Sequence, residues 1–286
     1  MRLKFITPMF PILVEVPPEG DDWIHEIKYD GYRTQLIIDG EGTRAFSRRG
    51  IDWSDKYAPI VKAAASLPTK SAIIDGEMIA PDVTGASDFA AFRKSIKRWP
   101  ANLAFVAFDL LHLDGKNLRP LPVIERRELL WKLVAPAEGA IQFSQHVTGG
   151  GKAFYDAVDG MGLEGMVSKR PSSAYRSGPT TAWLKTKCYE LSEFEVAAVL
   201  RERGKPPVAY MIDADRNYVG GAFISGLKRD MRERLWERVT TKAGPIPKGL
   251  KLKQGAEWVK PGLMATVRHL KGEGTLRHAS LKAIRD

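Results

Sequence analysis

The sequence predicts an α+β chain in two parts: a large mixed body to about residue 190 and a smaller, mostly β part over 191–286. Three observations carry this. Short runs rich in β-branched and aromatic residues alternate with helix-period segments through the first two thirds of the chain. From about Ser192 strand-like runs dominate, broken by one helical stretch. At 286 residues and 44% apolar content the chain can bury one large core or two modest ones.

Taken in order, Pro8, Pro11, Pro17 and Pro18 predict an extended lead-in that packs over the body. Strands are expected over 23–29, 32–38 and 43–47, with Gly31 breaking the first from the second and Asp39-Gly40-Glu41-Gly42 turning the second into the third. An alanine-rich helix is expected over 52–66, a strand over 71–80, and a helix from a Ser87 cap to about Lys97. The apolar run 101–112 reads as a buried strand and 122–134 as an amphipathic helix. A strand over 140–146, a helix over 151–159 and strands over 163–169 and 183–187 complete the body. The second part offers strands over 194–201, 208–214 and 218–223, a helix over about 226–240 and a Pro-, Gly- and Lys-rich linker over 243–255. Two further strands follow, near Trp258 and over 262–270. Five short strands with one inserted helix suit a small barrel of the oligonucleotide-binding (OB) type.

The formal net charge of +10 favours an anionic partner, nucleic acid being the commonest. The single cysteine, Cys188, excludes an intrachain disulfide and reads as a packing residue in a reducing compartment. His25, His112, His146, His269 and His278 show no ligand spacing, so a structural zinc site is excluded. No run approaches the roughly 20 apolar residues that span a bilayer. A cytoplasmic protein without a targeting segment is expected.

One stretch organises the chemistry: Glu26-Ile27-Lys28-Tyr29-Asp30-Gly31-Tyr32-Arg33. A lysine amine becomes a nucleophile when neighbouring positive charge or desolvation favours its neutral form. A site built to hold a triphosphate and a metal supplies such charge. Attack by Lys28 on an α-phosphate would give a phosphoramidate and release pyrophosphate, with the phosphoryl charge met by Lys, Arg and a divalent ion. K-x-D-G alone is a weak signal, but further pieces follow in order. Ser47-Arg48-Arg49-Gly50 lies in a turn. Asp75-Gly76-Glu77 ends in a carboxylate fit for a ribose hydroxyl or a metal, and Phe108-Asp109 puts an aromatic face where a base could stack. Glu164-Gly165-Met166-Val167-Ser168-Lys169 adds a carboxylate, and Trp183-Leu184-Lys185-Thr186-Lys187 sets two lysines on one strand face. Arg49 and Lys169 read as solvated or as phosphate-backbone contacts. The basic stretch 228–234 reads first as a charged helix face, and secondarily as a contact for DNA phosphates.

The order K-x-D-G, S-R-x-G, D-G-E, F-D, E-G-[MV]-V-x-K, W-L-K-x-K resembles that of the covalent nucleotidyltransferases, and within them the ATP-dependent DNA ligases. Phe108-Asp109-Leu110-Leu111, Leu113-Asp114-Gly115 and Trp258-Val259-Lys260-Pro261 are most similar to the ligase module of the bacterial end-joining ligase D group. The resemblance implies a nucleotidyltransferase (adenylation) domain over 1–190 and an OB-fold domain over 191–286. It makes Lys28 the adenylated residue and puts Glu26 against the adenine. It gives Arg33 and Arg48 to sugar or phosphate, Glu77 to the ribose, with Glu77 and Glu164 as metal ligands. Phe108 would stack on adenine, and Lys185 and Lys187 would bind the α-phosphate and promote both transfers. ATP and Mg²⁺ (or Mn²⁺) are the implied cofactors. The implied partners are nicked or broken double-stranded DNA and an end-bridging repair protein, with the chain a monomer and no membrane involved. The two domains would close about a hinge near 187–192.

The stretch 276–286 resembles the family's last motif, which positions the β- and γ-phosphates. Relatives usually carry a lysine after the aspartate, where this sequence ends at Asp286, and an arginine in the loop before the tryptophan, here Gly178-Pro179-Thr180-Thr181-Ala182. Both departures are expected to weaken the phosphate grip. The rivals are an RNA ligase or capping-type enzyme using the same lysine, and a non-catalytic DNA-end binder.

Overall fold

The computed structural model describes residues 2–82, 87, 89–135, 139–240, 246–251, 254–271 and 275–285. The chain divides into two compact units, Met1–Cys188 and Tyr189–Asp286.

The first unit contains β1 (Met9–Leu13), β2 (Ile24–Ile27), β3 (Tyr32–Asp39), β4 (Gly42–Ser47), α1 (Ala58–Ala64), β5 (Ala72–Ile79), α2 (Phe89–Arg98), β6 (Ala104–Leu113) and β7 (Lys116–Asn117). These are followed by α3 (Val123–Val134), β8 (Ile141–Phe143), β9 (Val147–Thr148), α4 (Gly151–Gly160), β10 (Gly165–Lys169) and β11 (Gly178–Lys187). One sheet runs β1-β11-β10-β2-β9. The other runs β4-β3-β5-β6-β7, with β8 parallel to β6. The second sheet is apolar on both faces because its strands alternate between two cores. Leu36, Ile38, Ile74 and Leu110 pack with Ile60 of α1, Phe92 of α2 and Leu130 of α3. Ile37, Ile73 and Leu111 pack with Met9, Ile24 and Trp183 of the first sheet. Arg33, Asp75 and Glu77 share strand parity with Ile37 and Ile73, which directs the polar ends of β3 and β5 to the side where the two sheets meet.

The lead-in is a strand, not merely an extended wrap. β1 lies at a sheet edge, parallel to β11, and Pro11 sits beside a register shift, as a residue without an N–H requires. Its partner residues include Gly178, Pro179 and Thr180, so the stretch read as a loop before Trp183 is the first half of β11. The helix expected over 52–66 begins as a 3-10 turn, Ser54–Tyr57, and becomes α-helical at Ala58, where Pro59 occupies the first turn. The Ser87 hydroxyl accepts the Asp30 N–H at 2.9 Å, and the helix after it opens at Phe89.

The second unit holds β12 (Tyr189–Leu200), β13 (Val208–Ile212), β14 (Tyr218–Phe223), α5 (Arg229–Glu237), β15 (Val239–Thr240), β16 (Ala256–Val259), β17 (Met264–Leu270) and β18 (Ser280–Arg285). β12 pairs with β13, β13 with β14, β14 with β18, β18 with β17, and β17 with β12, which closes a five-stranded ring. Val196, Met211, Ala222, Ala265 and Leu281 fill it. The sequence reading missed β15 and β18 and began β12 five residues late, because Glu190, Ser192 and Glu193 lower its apparent strand character. The expected helix is shorter than 226–240, since Ile224–Gly226 form a separate 3-10 turn. Residues 241–245 and 252–253 of the expected linker, and Asp286, lie outside the described residues.

Helix α3 buries two arginines. Arg126 makes a two-pronged contact with Asp109, 2.7 Å on each oxygen, and donates to the Leu121 and Ser173 carbonyls at 2.5 and 3.0 Å. Both partners of the pair are 0% exposed. Removing the carboxylate leaves a charge in the core, so Asp109→Ala should lower the stability of the first unit by about 3–5 kcal/mol. Urea denaturation followed by tryptophan fluorescence reads this directly. A loss below about 1 kcal/mol would mean that the two carbonyls satisfy the guanidinium alone.

Candidate active site

Strand register brings the expected lysines together. The Lys28 N–H donates to the Gly165 carbonyl at 2.8 Å, extending the β2–β10 ladder one step past β2. On the other side of β10, Gly165 is opposite Lys187, and Val167 is opposite both Glu26 and Lys185. Lys28 and Lys187 thus flank one residue of the middle strand, and the residue before it is Glu164. Gly165 has φ +146°, and a Cβ there would lie 2.2 Å from the Thr186 carbonyl oxygen, so only glycine lets β10 and β11 approach. Gly31 answers the same need after Lys28: a Cβ would fall 2.0 Å from the Met78 carbonyl oxygen.

Glu164 is the hub. One carboxylate oxygen accepts the Lys28 ammonium, and the other lies 3.3 Å from Lys187 Nζ. Burial alone would raise the Glu164 carboxyl, but Lys28 and then Lys187 outweigh it and hold it below the usual range. Lys187 is lowered by burial, with Lys28 and Lys185 adding to the effect against Glu164. Lys185 is lowered by burial, then by Lys28 and Arg48.

Glu77 stands apart. Its carboxylate makes no hydrogen bond or ion pair among the described residues, and burial pushes it up to about 8 despite Lys28 and Arg33. Glu164 lies close enough to add to that rise. These two carboxylates beside three lysines suit a divalent ion that takes one or two protein oxygens and completes its shell with phosphate. No group of three or more potential metal ligands occurs among the described residues.

Arg33 has its donors committed: Nε and Nη2 on Asp75 at 3.0 and 2.7 Å, Nη1 on the Met9 carbonyl at 2.6 Å. Tyr175 also donates to Asp75, at 2.6 Å. Arg48 is exposed. Glu26 is 2% exposed, with Lys169 and Arg127 at 2.6 and 2.9 Å and the Ser144 hydroxyl donating at 2.8 Å. The half-buried Phe108 ring has Arg33 at 5.3 Å and Lys169 at 4.7 Å from its centroid.

Lys169, expected in solvent or on a phosphate backbone, is instead 2% exposed, and burial lowers it to about 8 in spite of Glu26. Sequence reasoning also missed Arg127, which donates to the Phe108 and Ser144 carbonyls at 3.1 and 2.5 Å. Within Glu125-Arg126-Arg127-Glu128 nothing marks two arginines as core. His25, one of the histidines without ligand spacing, is buried against the Ser168 hydroxyl at 2.9 Å.

The two sheets and their flanking helices form a mixed α/β body of the nucleotidyltransferase type. The family model for the ATP-dependent DNA ligase domain matches residues 12–187. The chain belongs to that family. It is 29% identical over 301 residues to the multifunctional non-homologous end joining protein LigD of Pseudomonas aeruginosa, covering 99% of this chain and 36% of that protein. Against LigD of Mycobacterium tuberculosis the identity is 26%, over 93% of this chain and 36% of the relative. The chain therefore spans about a third of the length of these curated relatives. The structure of mycobacterial DNA ligase D complexed with ATP and MES superposes with TM-score 0.59 at 26% identity, covering 98% of this chain and 94% of that one. A Lig E DNA ligase, at 16% identity and TM-score 0.63, shares the fold, over 96% of this chain and 99% of its own.

Glu77 gives the site a pH signature. Its folded value of about 8 is above the ordinary carboxyl value of 4.5, so the folded state holds the proton more tightly. Stability from this group is full below about 4.5 and is lost as pH rises toward 8. Glu77→Gln should match the wild-type melting temperature near pH 4.5, exceed it increasingly up to pH 8, and hold a constant lead above that. A lead independent of pH would reject the assignment.

Proposed function

We propose that this chain is an ATP-dependent DNA ligase that joins a 5′-phosphate to a 3′-hydroxyl through a Lys28–AMP intermediate, serving repair or end joining. One observation carries the reading: Lys28 and Lys187 sit on the same Glu164 carboxylate, so the nucleophile and a phosphate-binding cation are held side by side.

In the first step the Lys28 amine, having lost its proton, bonds to the α-phosphorus of ATP and pyrophosphate leaves. Lys187 and Lys185 meet the charge on the α-phosphoryl oxygens, and Arg48 meets the departing phosphates. The adenylyl group then passes from Lys28 to the DNA 5′-phosphate. The 3′-hydroxyl attacks that phosphate, forming the phosphodiester and releasing AMP. A magnesium ion held by Glu164 and Glu77 would supply added charge neutralisation. We assign the base to the Phe108 ring, with Glu26 at its edge, the ribose to Glu77, and to Arg33 the support of the sugar side through Asp75. For the second unit we propose an OB-fold that grips DNA, supported by its closed ring of five strands. The excess of basic residues fits a duplex held through its phosphates, with strong salt dependence and little sequence preference.

Intact mass before and after ATP and Mg²⁺ tests the reading. The wild type should gain one adenylyl group and Lys28→Ala none; a wild type that never labels would favour a non-catalytic end binder. Lys187→Ala should slow adenylyl transfer on the order of 100-fold, the usual cost of a lost charge stabiliser, with DNA affinity nearly unchanged. Equal rates would remove Lys187 from the phosphate. Sealing of an all-DNA nick in preference to an all-RNA one separates a DNA ligase from an RNA-joining enzyme.

A further inference from the structure

Cations and aromatic rings alternate in a file across the first unit. Arg48 Cζ lies 4.6 Å from the centroid of Phe10, and Arg33 Cζ lies 5.8 Å from Phe10 and 5.3 Å from Phe108. Lys169 Nζ follows, 4.7 Å from Phe108 and 4.4 Å from Trp183. Most members are fixed by other bonds. Arg33 is clamped on Asp75 and the Met9 carbonyl, and Lys169 is buried on Glu26. Arg48 is different: it is exposed and makes no hydrogen bond or ion pair among the described residues. Its guanidinium lies over the Phe10 ring.

The charge around Arg48 works against its staying there. It lies near enough to Lys185 to depress that amine, and Lys28 acts on the same amine. Lys28 and Lys187 already occupy both oxygens of Glu164, so that carboxylate is not open to Arg48. An unrestrained arginine on an exposed turn would swing away from these lysines. The backbone that carries Phe10 is tied down. The Met9 N–H donates to the Tyr175 hydroxyl at 3.1 Å, the Met9 carbonyl accepts Arg33, and Phe10 is in register with Pro179 of β11.

We propose that Phe10, which precedes the segment matched by the family model, is a positioning residue: its ring holds the Arg48 guanidinium beside Lys185, so that the triphosphate of ATP meets a preassembled set of cations. The inference rests on the proposed ATP-dependent reaction, and Phe10 itself acts only through Arg48.

The test uses the full chain with Phe10→Leu, which keeps an apolar side chain without a ring, and Phe10→Trp, which restores one. Equilibrium ATP binding and the rate of Lys28 adenylation are measured over a range of ATP concentrations. A contact between a cation and an exposed ring corresponds to about a 2- to 5-fold effect. Phe10→Leu should therefore raise the ATP Kd and KM about 2- to 5-fold with the saturating rate unchanged, and Phe10→Trp should return both to the wild-type value. In an Arg48→Met background Phe10→Leu should add nothing. An unchanged KM, a fall in saturating rate that Trp does not rescue, or effects of the two variants that multiply would each overturn the proposal. A wild type that binds ATP without becoming labelled would instead defeat the reaction, and the Kd series would still judge Phe10.

Discussion

A single carboxylate organises the site. Glu164 is almost enclosed, and an enclosed charge persists only where its partners repay the lost hydration. Lys28 and Lys187 do so, one on each oxygen. The arrangement follows from backbone pairing: the two lysines border Gly165 from opposite sides of β10, and the side chain just before that glycine falls between them. A one-residue slip in either pairing would turn a lysine to the other face of the sheet. The close approaches that forbid a Cβ at Gly165 and Gly31 are therefore part of the chemistry, because they fix the register that places the nucleophile.

A second layer of buried charge stiffens the first. Arg126 on Asp109, Arg33 on Asp75 and Lys169 with Arg127 on Glu26 are all largely withdrawn from water. Such pairs contribute little net stability compared with apolar packing. They do fix backbone: Arg127 and Lys169 converge on the Phe108 carbonyl, and Arg33 takes the Met9 carbonyl. The rings of Phe10 and Phe108 are thereby set by charges on β3, α3 and β10, which come from distant parts of the sequence.

That distance explains what could be read beforehand. The β-rich meander, the buried run at 104–113, α3 and α4 announce themselves through local periodicity, and Lys28, Glu164, Lys185 and Lys187 through ordered short motifs. Neither signal says that Glu164 meets a lysine 136 positions away. The meeting was legible only through resemblance to a family. Lys169 misled because a lysine beside Arg170 looks like solvent-facing charge, while its enclosure depends on Glu26 and on the rings of Phe108 and Trp183. β1 hid because Pro8 precedes it and Pro11 interrupts it, and its partner begins with Gly178-Pro179, which reads as a turn.

The charge balance of the site differs from that of the layer beneath it. Below, every buried cation is paired: Arg126 and Arg33 each have a carboxylate of their own, and Lys169 and Arg127 share Glu26. At the surface of the site the cations outnumber the ionised acids, and the one spare carboxyl, Glu77, keeps its proton up to about pH 8. Burial drives that retention, and Glu164 and Asp75 reinforce it. A neutral Glu77 leaves the positive potential of the lysines intact toward an arriving polyanion, whereas ionising it would cancel part of the attraction. A protein with a formal charge of +10 has positive potential at long range. What the fold adds is its concentration at the strand ends of one sheet, above a layer in which every buried cation already has a carboxylate partner.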